Sequence, residues 1–207
     1  MYNKLMNKGF LLLTSTGLTS PNIYKKFKDV VYDPQKQSVA IITTAAEGKE
    51  NNKYSQLAKK QFESLGFVSV DFVDLETQPE KDLSSYEIIY VCGGNTFKLL
   101  KFARNANFKL SIEKLLERNG IYIGVSAGSI IVGPSIEIAG EVVADKNEVG
   151  LEDLTGFGIT NLIVLPHYSS EVEEETKAFE AKHGVIVERL SNSQAALIEN
   201  GEKTIIE

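Results

Sequence analysis

The chain has 207 residues, of which 43% are apolar and 24% are charged, and its formal net charge is −6. These values are typical of a globular protein, and the length predicts one domain over residues 1–207. The acidic balance argues against nucleic acid or a membrane surface as the main partner, because both attract basic proteins. The single cysteine excludes an internal disulfide bond and a cysteine-rich zinc site.

The N-terminal apolar stretch, Phe10 to Leu13, is too short for a signal peptide or a membrane span. We therefore expect a cytoplasmic protein. Two distant histidines and one cysteine are poor material for a metal site, and no cofactor is implied.

Short apolar runs alternate with helical patterns along the chain. Strands are predicted at 9–14, 38–44, 67–75, 86–92, 121–125 and 161–168, with further β pieces in "GVIVERL", "QAALIEN" and "KTIIE". Helices are predicted over 21–31, 53–65, from about 96, over 109–118 and over 170–182. This order predicts a mostly parallel α/β sheet with helices on both faces and small terminal β elements. The third strand alternates in polarity, which favours a place near the edge.

In such sheets, functional groups gather at the carboxyl ends of the strands. The fifth strand is followed by "GVSAG", which matches the G-x-S-x-G nucleophile elbow and makes Ser126 a candidate nucleophile. The glycines allow a turn so sharp that the serine is held up at the sheet edge, and the amide of Ala127 points to the same place. The alternative is an ordinary turn in which the serine caps a helix.

A nucleophilic serine needs a base, and the chain offers two histidines. His167 follows a predicted strand end at the edge of the elbow, whereas His183 precedes a glycine at a predicted helix end. His167 is therefore the candidate base, the alternative being a loop histidine bonded to backbone. The triad acid is one of the carboxylates between Ser126 and His167, and the residues alone do not choose among them.

The fourth strand ends at "CGGNT", where two glycines offer free amides. This loop would complete an oxyanion hole with Ala127, or would equally serve as a phosphate cradle, although no P-loop or G-x-G-x-x-G pattern is present. We also expect Asn95 and Thr96 to contact the substrate. Cys92, at the end of an apolar strand, is expected to be a buried and inert thiol.

Three segments, "YVCGGNTFKLL", "YIGVSAGS" and "LPHY", in this order and spacing, resemble the peptidase family of dipeptidase E, or alpha-aspartyl dipeptidase. The resemblance covers most of the chain, from the first strand to the helix after His167. It implies a serine hydrolase on a fold similar to class I glutamine amidotransferases. It also implies that the amides of Gly94 and Ala127 form the oxyanion hole, with Gly93 as the alternative to Gly94.

The resemblance further implies an acid between serine and histidine. Counting back from His167 places this acid on Asp145, and we prefer it because "DKNEVGLEDLTGFGITNLIVLPHY" matches as one block; counting forward from Ser126 gives the alternative, Glu141. In the family, an arginine after the histidine binds the substrate's aspartate, and the comparable position here holds Lys177. A lysine cannot form the two parallel hydrogen bonds of an arginine, which puts strict aspartate specificity in doubt.

The sequence thus predicts a serine-type peptidase that hydrolyses short peptides, dipeptides with N-terminal aspartate included, and acts as a monomer or homodimer. The alternatives are a hydrolase of another small amide or ester, and a non-catalytic small-molecule binder on the same fold. An amidotransferase subunit is disfavoured because those enzymes carry cysteine at the position of Ser126.

Overall fold

The computed structural model describes residues 9–207, so residues 1–8 of the expected domain lie outside the described part of the chain. Its main sheet has seven strands in the order β3-β2-β4-β5-β1-β8-β9, and a separate pair is formed by β6 and β7. The strands are β1 Phe10–Thr14, β2 Ser38–Ile42, β3 Ser69–Val73, β4 Ile88–Val91, β5 Ile121–Val125, β6 Ile163–Leu165, β7 Val187–Arg189, β8 Ala195–Glu199 and β9 Glu202–Ile206.

Five strands of the main sheet, β3, β2, β4, β5 and β1, are parallel, and β3 lies at one edge as its alternating pattern predicts. The other two strands run antiparallel to their neighbours: β8 to β1, and β9 to β8. The carboxyl ends of the parallel strands therefore share one edge of the sheet with the beginning of β8, where Ala195 pairs with Thr14.

Helices cover both faces of this sheet, because the side chains of a strand alternate between the faces. In β1, Leu11 and Leu13 belong to one buried cluster and Leu12 to the other. The helices are α1 Pro21–Val30, α2 Lys53–Ser64, α3 Thr96–Asn105, α4 Phe108–Glu117, α5 Ala127–Ile130, α6 Glu137–Glu141 and α7 Glu173–His183. The predicted fold class, a mostly parallel α/β sheet with terminal β elements, is confirmed.

The placement of the sixth predicted strand in the main sheet is wrong. Residues Ile163–Leu165 form β6, which pairs with β7 in the separate sheet. The reason is that both edges of β1 are already occupied, by β5 on one side and by β8 on the other. The segment after β6 therefore reaches the carboxyl ends of the parallel strands as a loop and not as a strand of the main sheet.

Within residues 9–207, none of the helices is long and apolar enough to cross a membrane.

Candidate active site

Ser126 lies in the sharp turn between β5 and α5, with φ 51° and ψ −109°. This is a strained conformation for a residue with a side chain, and it is the one that the G-x-S-x-G pattern predicts. Both glycines are required by close packing. A Cβ atom at Gly124 would lie 2.6 Å from the carbonyl oxygen of Gly128, and one at Gly128 would lie 2.7 Å from that of Val91.

His167 follows β6 and has φ 58°, a second left-handed residue at the same edge. Its imidazole lines the same cavity as Ser126. Its Nδ1 atom is 2.7 Å from Oδ1 of Asn192, a residue of the turn between β7 and β8. With Nδ1–H donating to this amide oxygen, Nε2 carries the free lone pair and is able to accept a proton.

Three consecutive residues at the end of β1 hold these three groups in place. The carbonyl of Thr14 accepts from the Ser126 amide at 2.9 Å. Ser15 Oγ accepts from the His167 amide at 3.0 Å and donates to the carbonyl of Leu190 at 3.0 Å. Thr16 Oγ1 donates to the Asn192 carbonyl at 2.8 Å. We call Thr14–Ser15–Thr16 the β1 brace.

Asp145 is not the partner of His167, which corrects the expectation for the acid. Its Oδ2 atom accepts from the amide and the hydroxyl of Thr96 at 2.9 and 2.6 Å, at the first turn of α3. The other candidate, Glu141, binds Lys182 and His183 on α7. Both carboxylates are therefore bonded to other side chains and backbone groups, and the side chain at hydrogen-bond distance from His167 Nδ1 is the amide of Asn192.

The glycine-rich loop after β4 lies directly against Ser126. A Cβ atom at Gly93 would lie 3.0 Å from Cβ of Ser126. Gly94 has φ 138°, and a Cβ atom there would lie 2.0 Å from the Ala45 carbonyl oxygen, so only glycine fits. Within residues 9–207, the amides of Gly93, Gly94 and Ala127 donate to no protein acceptor, so both glycines stay candidates for the oxyanion hole beside Ala127.

Asn95 and Thr96 do not line the cavity, contrary to the expectation that they contact the substrate. The side chain of Asn95 accepts from the Lys98 amide at 2.8 Å and donates to the Lys146 carbonyl at 2.7 Å, so it caps α3. Thr96 is buried and bonded to Asp145. Their roles are structural because helix α3 begins at this point and its free amides need acceptors.

The cavity at the carboxyl edge of the sheet has a volume of about 520 Å³. It is lined by Ser15, Thr16, Thr19, Ala46, Glu47, Asn52, Tyr54, Ser55, Leu57, Ala58, Gln61, Tyr90, Cys92, Gly93, Gly94, Val125, Ser126 and His167. Lys177 lies outside this lining, on α7, where it pairs with Glu174 and Glu173. The expectation that Lys177 binds substrate is therefore not supported by its position.

Cys92 is buried in the cavity wall, and burial raises the pKa of its thiol to about 11. A thiol with this pKa carries almost no thiolate at neutral pH, as expected of an inert cysteine.

The second histidine, His183, packs its ring against Phe179, with 4.4 Å between the ring centroids, and its Nε2 atom is bonded to Glu141. Among residues 9–207 no group of three or more potential metal ligands comes together.

A charged cluster supports the loop that carries His167. Arg189 on β7 binds Glu173 and Glu180 of α7, and this bonding lowers the pKa of Glu180 to about 2. The guanidinium also lies 5.9 Å from the ring centroid of Tyr168, next to the base. These contacts fasten α7 and β7 on either side of the loop.

Sequence reasoning missed Asn192, Ser15 and Thr16. All three residues lie close to strand ends, where functional groups gather in such sheets: "TST" stands at the end of β1, and the turn around Asn192 leads into β8. The missing information was that β8 runs antiparallel beside β1, which brings its first residues to the carboxyl ends of the parallel strands.

The comparisons with known proteins agree with the fold and with the predicted family. The sequence model of peptidase family S51 matches residues 11–206. An uncharacterised peptidase of Pasteurella multocida is 29% identical over 191 residues, which cover 89% of this chain and 92% of that relative. Peptidase E of Escherichia coli O6:K15:H31 is 30% identical over 145 residues, which cover 69% of this chain and 60% of that enzyme.

Among solved structures, a Listeria monocytogenes EGD-e protein described as a candidate peptidase E has a TM-score of 0.78 at 26% identity. The match covers 95% of this chain and 97% of that one. A peptidase from an acI-B1 Actinobacterium, at 20% identity and a TM-score of 0.66, shares the fold. The resemblance inferred from the three sequence segments is confirmed: the chain belongs to peptidase family S51 and is a peptidase of the serine type.

Proposed function

We propose that this peptidase hydrolyses short peptides through an acyl-enzyme formed on Ser126, with His167 as the base and Asn192 as the group that orients it. The observation that carries the proposal is the joint geometry of the site. A strained serine and a histidine with a fixed Nδ1 line one cavity of about 520 Å³. That volume suits a ligand of the size of a short peptide.

In the first step, Ser126 Oγ attacks the peptide carbonyl carbon while Nε2 of His167 takes the hydroxyl proton. The carbonyl oxygen becomes negatively charged, and in this proposal the amides of Gly94 and Ala127, which donate to no protein acceptor within residues 9–207, bind it. His167 then gives the proton to the leaving amine. Water attacks the acyl-enzyme by the same route, with His167 again removing a proton, and releases the acid and the free serine.

Asn192 differs from a carboxylate in what it contributes. Its amide oxygen fixes the tautomer and the orientation of the ring, as in cysteine proteases with a Cys-His-Asn arrangement. It places no negative charge beside the imidazolium, so stabilisation of that ion is weaker than in a triad with an acid.

Covalent labelling by a fluorophosphonate tests this function, because such a probe reacts with an activated serine and spares a capping serine. We expect one label per chain, on Ser126 by peptide mass mapping. The His167→Gln variant is expected to react about 10²–10⁴-fold more slowly, since the general base is lost. His183→Gln, which removes the other histidine, serves as the matched control and is expected to react at the wild-type rate. Labelling of another serine would contradict the proposal.

The same protein is then assayed against unblocked dipeptides and p-nitrophenyl esters. Peptide hydrolysis is the expected result. Turnover of esters alone would show that the enzyme hydrolyses another small acyl compound and not peptides.

Ser15→Ala tests the β1 brace. Ser15 is 1% exposed and bridges the His167 amide to the Leu190 carbonyl, so its loss leaves the His167 amide without this acceptor and the carbonyl with only the Tyr168 amide as donor. We expect kcat to fall about tenfold with KM nearly unchanged, and stability to fall by about 1–3 kcal/mol. The control is Thr176→Val, which removes another buried hydroxyl, one that donates to the Val172 carbonyl on α7. It should lose stability and keep kcat. If both variants lower kcat equally, Ser15 has no positioning role.

A further inference from the structure

An exposed acidic residue lines the cavity beside Ser126 and forms no ion pair within residues 9–207. Glu47 is the one acidic residue among the lining residues, and no lysine or arginine of residues 9–207 lines the cavity. The Glu47 side chain is exposed and takes part in none of the salt bridges of these residues. A carboxylate left free at a binding cavity favours a cationic ligand and disfavours an anionic one.

Glu47 lies in a segment that packs against the glycine-rich loop beside Ser126. It follows Ala45 and Ala46, whose backbone lies against Gly94, as a Cβ atom there would be 2.0 Å from the Ala45 oxygen and 2.9 Å from the Ala46 nitrogen. The Asn95 amide also donates to the Ala45 carbonyl at 3.3 Å. The carbonyl of Glu47 itself accepts from the Asn52 side chain at 2.8 Å, which joins it to the start of α2.

Helix α2 forms the wall next to Glu47, and that wall is largely apolar. Tyr54, Leu57, Ala58 and Gln61 face the cavity at helical spacing. Tyr54 is 66% exposed and Leu57 is 44% exposed, although both are large apolar side chains at the cavity mouth. The nearby Lys53 holds its ammonium 4.8 Å from the Tyr54 ring centroid, outside the cavity lining. A ligand with an apolar side chain would cover the exposed faces of Tyr54 and Leu57.

We propose that Glu47 and the α2 wall select the residue that donates the acyl group: Glu47 binds its ammonium group and the wall takes an apolar side chain. This rests on the proposed function, since it assigns the specificity of the same site. The preferred substrates are then short peptides with a free N-terminus and an apolar first residue, and aspartate in that position is disfavoured. The side chain of a lysine carries the same ammonium group as a free N-terminus, and the experiment below distinguishes which of the two ammonium groups Glu47 binds.

Calorimetric binding to the Ser126→Ala variant tests the inference without requiring turnover. The ligands are leucinamide, N-acetyl-leucinamide, aspartamide and N-acetyl-lysinamide. We expect leucinamide to bind at least about tenfold more tightly than its acetylated form and than aspartamide. When Glu47→Gln is combined with Ser126→Ala, we expect the tighter binding of leucinamide relative to these two ligands to be lost. Adding Glu50→Gln instead, the same charge change three residues away and outside the cavity lining, should leave it intact.

The outcomes separate the two proposals. Equal binding of leucinamide and its acetylated form, or tighter binding of aspartamide, overturns the role of Glu47 whatever the enzyme hydrolyses. Tight, Glu47-dependent binding of N-acetyl-lysinamide assigns the ammonium to a side chain and overturns selection of the N-terminus. Glu47-dependent binding of leucinamide by a protein whose serine does not react with fluorophosphonate upholds the subsite and overturns the proposed function.

Discussion

Replacing Ser126 with alanine is expected to lower kcat by at least about 10⁴-fold, to the level left by binding and the oxyanion hole alone. Alanine keeps the Cβ atom, so the strained turn at φ 51° is tested without its hydroxyl. The measurement is hydrolysis of the best dipeptide found in the substrate panel, together with thermal unfolding to show that the fold is retained. Wild-type turnover in a folded variant would show that the nucleophile lies elsewhere.

The motif contains a second serine, and it supplies the control for this experiment. Ser129 Oγ is buried, accepts from the Thr14 amide at 2.9 Å and donates to the carbonyls of Thr14 and Gly124 at 2.8 and 2.9 Å. Its removal takes the acceptor from the buried Thr14 amide, which costs about 1–3 kcal/mol, whereas the carbonyls of Thr14 and Gly124 still accept from the Ser126 amide and the Thr14 hydroxyl. The Ser129→Ala variant should therefore unfold at a lower temperature and still be labelled at Ser126.

Replacing Asn192 with leucine is expected to lower kcat/KM by about 10²–10⁴-fold, because His167 loses the hydrogen bond that fixes its tautomer. Leucine has nearly the same size and no acceptor. Asn192→Asp is expected to keep activity, since a carboxylate also accepts from Nδ1. Its added charge stabilises the imidazolium, so the acidic limb of the pH profile of kcat/KM should move to higher pH.

Asp145→Asn is the comparison that decides between the two candidates for the orienting group. Asp145 caps the first turn of α3 through Thr96, and weakening such a cap costs about 0.5–2 kcal/mol. We expect this variant to lose stability and to keep kcat/KM. A large loss of activity in Asp145→Asn, with little effect of Asn192→Leu, would show that the carboxylate of Asp145 orients His167.

The sequence predicts well the groups whose roles are set by local geometry. The turn at Ser126 needs glycine on both sides, and these glycines are visible in the five-residue pattern. The inert character of Cys92 follows from its place at the end of an apolar strand. The parallel sheet follows from the alternation of strands and helices, and the bounds of β5 are those that its apolar run indicates.

Groups that depend on pairing between distant segments were not predicted correctly. A three-residue strand such as β6 carries no sign of which sheet it joins, and β6 pairs with β7 outside the main sheet, whereas β8 lies beside β1. The same pairing brings Asn192 to His167, across 25 positions of the sequence. Asp145 looks like a triad acid by its position in the chain, yet the free amide at the start of α3 binds it instead.

The antiparallel insertion of β8 between β1 and β9 has a consequence for how activity arises during folding. Ser126 follows β5, which pairs with one side of β1, whereas Asn192 lies in the turn that leads into β8, the strand that pairs with the other side of β1. A chain in which β8 has not paired with β1 lacks the contact between Asn192 and His167 on which the proposed mechanism depends. We therefore expect turnover that is regained after dilution from denaturant to follow the pairing of β8 with β1.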